Sequence, residues 1–338
     1  MPFPSPPIPP MEAKLVAALP EGGGDWQFEP KWDGFRCLAF VRRGKVALQS
    51  KAGKPLERFF PEVAAALSSL PDAVLDGELL IPVGAEPSFA ALQMRLHPAE
   101  SRIHRLAVET PARMMLFDAL WLDGKDLIAR PLSERRAALE AFHKANRMPD
   151  LRLSPATSSV TKAQAWLAGT GGALDGVIAK RLDEPYRPGE RAMLKVKRRR
   201  TADCVVGGFR YATGKREVGS LLLGLYDETG LLHHVGFTSN MPERATLTAE
   251  LEALVEPPGF TGDAPGGLSR WSTERSSQWQ PLRPELVAEV RYDQITGRRF
   301  RHGTGFLRWR GDKSPRQCGF DQLEEARPAL VDTALGAG

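Results

Sequence analysis

Lys31 lies in Glu29-Pro30-Lys31-Trp32-Asp33-Gly34-Phe35-Arg36, two residues before Asp-Gly and five before an arginine. The chemistry that needs this KxDGxR pattern is attack by an amine on a phosphoryl group. A free lysine titrates near ~10.4, so about one in a thousand is neutral at pH 7. Bringing that value down to roughly 7–8 costs on the order of 4 kcal/mol. Nearby cations and a bound metal ion can supply it. The chain must therefore bring other positive charges to Lys31. Taken alone, the same pattern also fits a polar turn before a strand.

Such charges are present. In Met193-Leu194-Lys195-Val196-Lys197, strand alternation puts both lysines on one face and Leu194 and Val196 on the other. Two lysines on one face can grip one phosphate group. Acids recur as well. In Leu75-Asp76-Gly77-Glu78-Leu79, Asp76 and Glu78 share a face while Leu75 and Leu79 turn to the core. Asp175 begins Leu174-Asp175-Gly176-Val177-Ile178-Ala179-Lys180, a strand that ends in Lys180. Carboxylates of this kind hold Mg²⁺ together with water and substrate phosphates. Each Asp-Gly pair by itself is more often a simple turn. Phe117 sits in an apolar strand and by itself reads as core. Arg310-Gly311-Asp312-Lys313 offers RxDK near the C-terminus, a weak signal on its own.

The elements that must position these residues are legible in outline. Phe35 to Gln49 reads as a hairpin around Arg42-Arg43-Gly44-Lys45. Phe59, Phe60, Val63, Leu67 and Leu70 have helical spacing. Leu75 to Pro82 and Met114 to Leu122 read as strands. Ser133 is expected to cap the helix SERRAALEAFHKA, and Thr161 with Gln164 to form a capping box before AWLA. Val177 to Lys180 and Met193 to Lys197 follow as short strands. Beyond Arg200 come VVGGF, SLLLGLY and LHHVGF, one helical segment near Glu243 to Val255, and a Pro/Gly-rich stretch, the texture of a small barrel or sandwich. A boundary near Arg200 divides 1–200 from 201–338.

The length of 338 residues fits about two domains. No run of about 18 apolar residues exists, which excludes a membrane-spanning helix. The proline-rich start lacks the pattern of a secretory signal and suits an extended lead-in. Cys37, Cys204 and Cys318 form no CxxC pair, so neither a zinc knuckle nor a disulfide framework is indicated, and a reducing cytoplasm suits them. A net charge of +5 says little, but its distribution says more. Arg291, Arg298, Arg299, Arg301, Arg308, Arg310, Lys313 and Arg316 are opposed only by Asp293 and Asp312. A second basic run is Lys195, Lys197, Arg198, Arg199 and Arg200. Either run can neutralise phosphates or can be a solvated face.

The order of the pieces decides between these readings. KxDGxR, DGE, FDAL, DGVIAK, LKVK and RxDK follow one another in a series that resembles the covalent nucleotidyltransferases: ATP-dependent DNA ligases, RNA ligases and mRNA capping enzymes. The resemblance spans about Pro7 to Asp321. KVKRRRTADCVVGGFRY and RHGTGFLRWRGDK look most like the small C-type bacterial DNA ligases, which are related to the ligase module of D-type end-joining proteins. The resemblance implies an α+β, two-domain chain: an adenylation (ATP-grasp-like α/β) domain followed by an OB-fold β-barrel.

It also implies roles. Lys31 becomes AMP-lysine. Arg36 and Glu78 bind the ribose hydroxyls, and Phe117 stacks on the base. Glu29 and Lys180 complete the nucleotide site, and Asp175 occupies the metal-binding acidic position together with Glu78. Lys195 and Lys197 hold the α-phosphate, and Arg310 and Lys313 orient the β,γ-phosphates. The cofactors implied are ATP and Mg²⁺ (or Mn²⁺). The partner is nicked duplex DNA, with DNA-repair proteins besides, for a monomer in the nucleoid-associated cytoplasm. Two residues depart from the pattern. Asp175 stands where the family usually has Glu, and Lys51 where an arginine is common, so the planar bidentate fork is missing there. KxDGxR alone leaves an RNA ligase or capping enzyme open. A non-catalytic nucleic-acid-binding protein is a further alternative, opposed by the intact Lys31, Glu78, Lys195 and Lys197.

Overall fold

The computed structural model describes all residues except 1–2, 23, 85, 170–173, 198–199, 267–277, 294, 302 and 324–338. Arg198 and Arg199 of the second basic run thus lie outside the described residues. Two compact units fall within Met1–Arg198 and Arg199–Glu325.

The first unit is built on two sheets. One has strand order β1-β9-β8-β2, from β1 (Ala13–Leu15), β2 (Trp26–Trp32), β8 (Leu174–Arg181) and β9 (Met193–Val196). β1 runs parallel to β9; the other pairs are antiparallel. The second sheet has the order β7-β6-β5-β3-β4, from β3 (Phe35–Arg42), β4 (Lys45–Ser50), β5 (Ala73–Leu80), β6 (Arg113–Leu122) and β7 (Leu151–Leu153). Alternation along these strands gives each sheet two apolar faces. Leu38, Phe40, Val74, Leu120 and Trp121 of the second sheet meet Met193 of the first, with Met11 and Tyr186, in a core between the sheets. Phe28, Val177 and Ala179 pack on Ala163 and Trp166 of α5 (Val160–Ala168). The opposite face of the second sheet buries Leu75, Leu79, Met114 and Leu116 against Val63 and Leu67 of α1 (Pro61–Leu67) and Leu139 and Phe142 of α4 (Leu132–Ala145).

Two helix starts differ from expectation. α4 begins at Leu132 after Pro131, with no side-chain cap, so Ser133 lies inside the helix. The proline fixes the entry dihedral and takes the place of a capping hydroxyl. The capping residue of α5 is Ser159, whose hydroxyl accepts from the Lys162 N–H; Thr161 and Gln164 lie within the helix. α1 begins at Pro61, a residue favoured in the first helical turn.

α4 is tied to β6 by a buried ion pair. Arg135 donates to both carboxylate oxygens of Asp118 at 2.8 and 3.0 Å, and to the Arg130 and Glu184 carbonyls. Burial works against the charge of Asp118, but Arg135 outweighs it and holds the acid below its ordinary pKa. Removing one partner of such a pair strands a buried charge. Arg135→Leu is expected to destabilise the first unit by about 3–5 kcal/mol, read by denaturant unfolding.

The second unit is a sheet of order β12-β11-β10-β13-β14, from β10 (Arg200–Tyr211), β11 (Val218–Tyr226), β12 (Leu232–Thr238), β13 (Val287–Tyr292) and β14 (Gly305–Trp309). All four pairings are antiparallel, and a parallel bridge, Thr238 to Thr304, links the ends. This is an OB-type arrangement. α6 (Arg244–Glu252) buries Leu247 and Leu251 in its core.

His234 is buried in this unit, with Nδ1 2.8 Å from Arg299. Burial and the charges of Arg299 and Arg210 push its pKa down to about 3. The folded chain therefore binds less proton than the unfolded chain between that value and the ordinary 6.5. Stability is expected to be full above this window and to fall as pH drops through it, by up to about 1.4 kcal/mol per pH unit. Denaturant unfolding at about pH 7 and about pH 5 checks this, and His234→Gln is expected to flatten the difference.

Candidate active site

Lys31 reaches its place through two local irregularities. β2 is an edge strand, which tolerates Pro30. Opposite it, the register of β8 shifts between Leu174, which faces Trp32, and Gly176, which faces Lys31. Asp175 is the extra residue of this bulge. Gly176 has φ +143°, and a Cβ there would strike the Val196 carbonyl. Only glycine fits, which gives the Asp-Gly pair a meaning beyond a turn. At the other end of KxDGxR, a Cβ on Gly34 would strike the Leu79 carbonyl, so glycine lets the chain turn tightly from β2 into β3.

The bulge sets Asp175 against Lys31 at 2.5 Å and against Lys197 at 3.1 Å, both on the same oxygen. The carboxylate is 8% exposed, while the two lysines are 24% and 23% exposed. The amine thus stays accessible while its acid partner is buried.

A cavity of about 240 Å³ opens beside Lys31. Glu29, Lys180 and Lys195 line it from the first sheet, and Arg36, Glu78 and Phe117 from the second. Lys51 and the Pro10–Ala13 segment complete the wall. Asp175 and Lys197 adjoin Lys31 without lining the cavity. Arg310 and Lys313 belong to the second unit, where both grip Asp203.

Two cations lie against the Phe117 ring: the Arg36 guanidinium is 4.5 Å and the Lys180 ammonium 4.9 Å from the centroid. Lys180 also bonds the Phe117 carbonyl at 3.2 Å and Glu29 at 2.9 Å, and Glu29 accepts from Gln27 at 2.6 Å. Arg36 holds Asp76 in a two-pronged pair at 2.6 and 2.5 Å and donates to the Met11 carbonyl at 3.3 Å. Burial opposes the charge of Arg36, but Asp76 more than offsets this and raises its pKa above the usual value. The Tyr186 hydroxyl donates to Asp76 and accepts from the Met11 N–H. Asp76, expected from the sequence as a carboxylate able to hold Mg²⁺, instead anchors Arg36 and Tyr186, while Tyr186 and Met11 are not legible as site residues. The alternation of β5 placed Asp76 on the same face as Glu78, but nothing local marks Tyr186 or the Met11 backbone.

Burial raises Glu78 to about 7, against the pull of Arg36 and Lys31. Burial also lowers Lys195, reinforced by Lys31, Lys197 and Lys51. Lys51 pairs with Glu12 at 3.0 Å, which holds that acid below its ordinary range. The cavity therefore presents cations for phosphate oxygens, an aromatic face, the buried carboxylate of Glu29 and the accessible amine of Lys31.

The family description "ATP dependent DNA ligase domain" matches residues 10–197, and "ATP dependent DNA ligase C terminal region" matches residues 214–313. DNA ligase C2 of Mycolicibacterium smegmatis is 47% identical over 94% of this chain and 95% of that protein. DNA ligase C of Mycobacterium tuberculosis is 45% identical over 96% of each. The crystal structure of the ligase domain of M. tuberculosis LigD has a TM-score of 0.50 at 28% identity, covering 92% of this chain and 97% of that one. A nucleotidyltransferase-type α/β unit carrying KxDGxR, an OB-type unit carrying RxDK and relatives that match nearly end to end lead to one conclusion: the chain belongs to the ATP-dependent DNA ligases.

Proposed function

We propose that this ligase seals nicks between a 3′-hydroxyl and a 5′-phosphate in DNA repair, through AMP carried on Lys31. The observation that carries the reading is the accessible Lys31 amine beside the cavity, backed by Asp175 and Lys197. In the first step the deprotonated Nζ attacks the α-phosphorus of ATP. An N–P bond forms, the bond to pyrophosphate breaks, and the amine proton leaves to solvent. In the second step a 5′-phosphate oxygen of the nick displaces Lys31 and takes up AMP. In the third the 3′-hydroxyl attacks that 5′-phosphorus, loses its proton and expels AMP. The protein's part is in-line positioning and charge neutralisation by Lys195 and Lys197. Phe117, which lines the cavity, stacks on the adenine. Glu29 and Lys180 border the same pocket, Arg36 and Glu78 hold the ribose, and Lys51 contacts a phosphate.

Asp175 and Glu78 offer hard carboxylate oxygens, which fit Mg²⁺ or Mn²⁺. No group of three or more His, Cys, Asp or Glu able to hold a metal occurs among the described residues. Two protein acids with phosphate and water oxygens make a set of the kind Mg²⁺ accepts. The ion, when bound, supplies positive charge to the phosphate oxygens.

Arg310 and Lys313 orient the β,γ-phosphates in the first step only. Arg310→Ala is therefore expected to slow adenylation by ATP about 10²-fold or more, yet to seal a nick that already carries 5′-AMP at close to the wild-type rate. Single-turnover assays of the two reactions side by side check this. Equal loss in both would give Arg310 to the DNA or to the fold. No helix among the described residues is long and apolar enough to cross a membrane, in keeping with nicked duplex DNA as the partner.

A further inference from the structure

All three nitrogens of Arg310 are engaged by acids of its own unit, in four contacts. Its Nη1 meets both oxygens of Asp203 at 2.9 and 3.0 Å. Its Nε and Nη2 meet the two oxygens of Asp312, each at 2.8 Å. Lys313 adds its ammonium to the same Asp203 at 2.8 Å. Arg310, Lys313 and Asp203 are all shielded, with side chains 19%, 22% and 11% exposed.

Asp203 is built to stay where it is. It lies on β10, in register with Glu289 of β13, which in turn holds Arg308 at 2.7 Å. Gln322 clamps its backbone, accepting from the Asp203 N–H at 3.0 Å and donating to its carbonyl at 3.2 Å. The Arg310 main chain is also fixed, its N–H on the Val287 carbonyl at 2.8 Å. A strand-borne acid thus holds the two cations that the proposed function gives to the β,γ-phosphates of ATP.

A guanidinium has five N–H groups and cannot lose its charge. With all three of its nitrogens drawn to two carboxylates, Arg310 gives its full charge to a phosphate only by loosening its hold on those acids. Charge-assisted pairs of this sort are strong, so the release has a cost at every adenylation.

We propose that Asp203 is a positioning residue that keeps Arg310 and Lys313 in reserve, and that the β,γ-phosphates must displace it during the first step. The inference rests on the proposed role of Arg310 and Lys313. Once pyrophosphate leaves, Asp203 recaptures both cations. The recaptured pair no longer favours pyrophosphate, so the AMP on the enzyme is protected from reversal and is passed on to the nick.

The test is Asp203→Asn, which keeps the shape and removes the charge. The KM for ATP in adenylation is expected to fall roughly ten-fold with kcat little changed. The pyrophosphate concentration that strips AMP from the charged enzyme is expected to fall in parallel. Sealing of a preformed 5′-AMP nick serves as the reference and is expected to hold its rate. A merely structural aspartate would lower all three reactions together and leave KM where it was. Gln322→Ala loosens the clamp without stranding a charge, and is expected to move both values the same way by less. It decides the matter if Asp203→Asn does not fold. An unchanged or raised KM for ATP in the folded variants overturns the proposal. Arg310→Ala is run alongside. If it leaves adenylation intact, the role of Arg310 itself fails; if it blocks adenylation while Asp203→Asn leaves KM unmoved, only the reserve is refuted.

Discussion

Lys31→Ala forms no AMP adduct with ATP and a divalent metal, under conditions that charge the wild type completely. This is the largest effect expected of any single substitution. Four lysines line the cavity, but they are not equivalent. Lys180 is buried between Glu29 and the Phe117 carbonyl. Lys51 is drawn to Glu12. Lys195 stands one strand further from the bulge, on β9, beyond β8. Lys31 alone of the four combines an accessible amine with the Asp175 carboxylate at 2.5 Å, which can fix the direction of its lone pair once a proton is lost. A neighbour is a poor substitute, because misplacing the nucleophile by about 1 Å costs about 10²-fold in in-line displacement. Radiolabel transfer from ATP to protein reads the effect. An adduct on the variant comparable to the wild type would remove Lys31 from the reaction.

Lys195→Ala and Lys197→Ala come next, each expected to slow adenylation by ~10²-fold or more. They act from different positions. Lys195 lines the cavity and is available to an α-phosphate oxygen. Lys197 adjoins the Asp175 oxygen that also holds Lys31, 3.1 Å away. Losing Lys197 leaves that oxygen to Lys31 alone, tightening the grip on the ammonium form that cannot attack. Rapid-quench measurement at saturating ATP checks both. Wild-type adenylation in the two variants would make them an ordinary wet face of a strand.

Much of this arrangement was legible because it is local. KxDGxR spans a strand end, a tight turn and a strand start, so its spacing nearly fixes its geometry. The Phe35–Gln49 hairpin, the strand around Asp76 and Glu78, and the run from Met193 to Lys197 follow from alternation and turn residues alone. The cap of α5 lies two residues before Thr161, although Thr161 and Gln164 satisfy the same pattern as Ser159. Ser133 resembles a cap in sequence because a proline start leaves no hydroxyl to mark it. Three features could not be read locally. The Asp175 bulge depends on β2 and β8 meeting across most of the first unit. The Arg36–Asp76–Tyr186 chain joins residues 40 and 110 positions apart. The hold of Asp203 on Arg310 and Lys313 joins residues 107 and 110 apart. A sequence shows such pairs only as separate charges, and burial alone decides which of them meet.

Intact mass followed by peptide mapping, after incubation with ATP and Mg²⁺, gives the most direct reading of where AMP is carried. One AMP per chain is expected, on the peptide containing Lys31, and its discharge on adding nicked duplex DNA. AMP on any other lysine, or a chain that seals nicks with ATP while no lysine is ever modified, would contradict it.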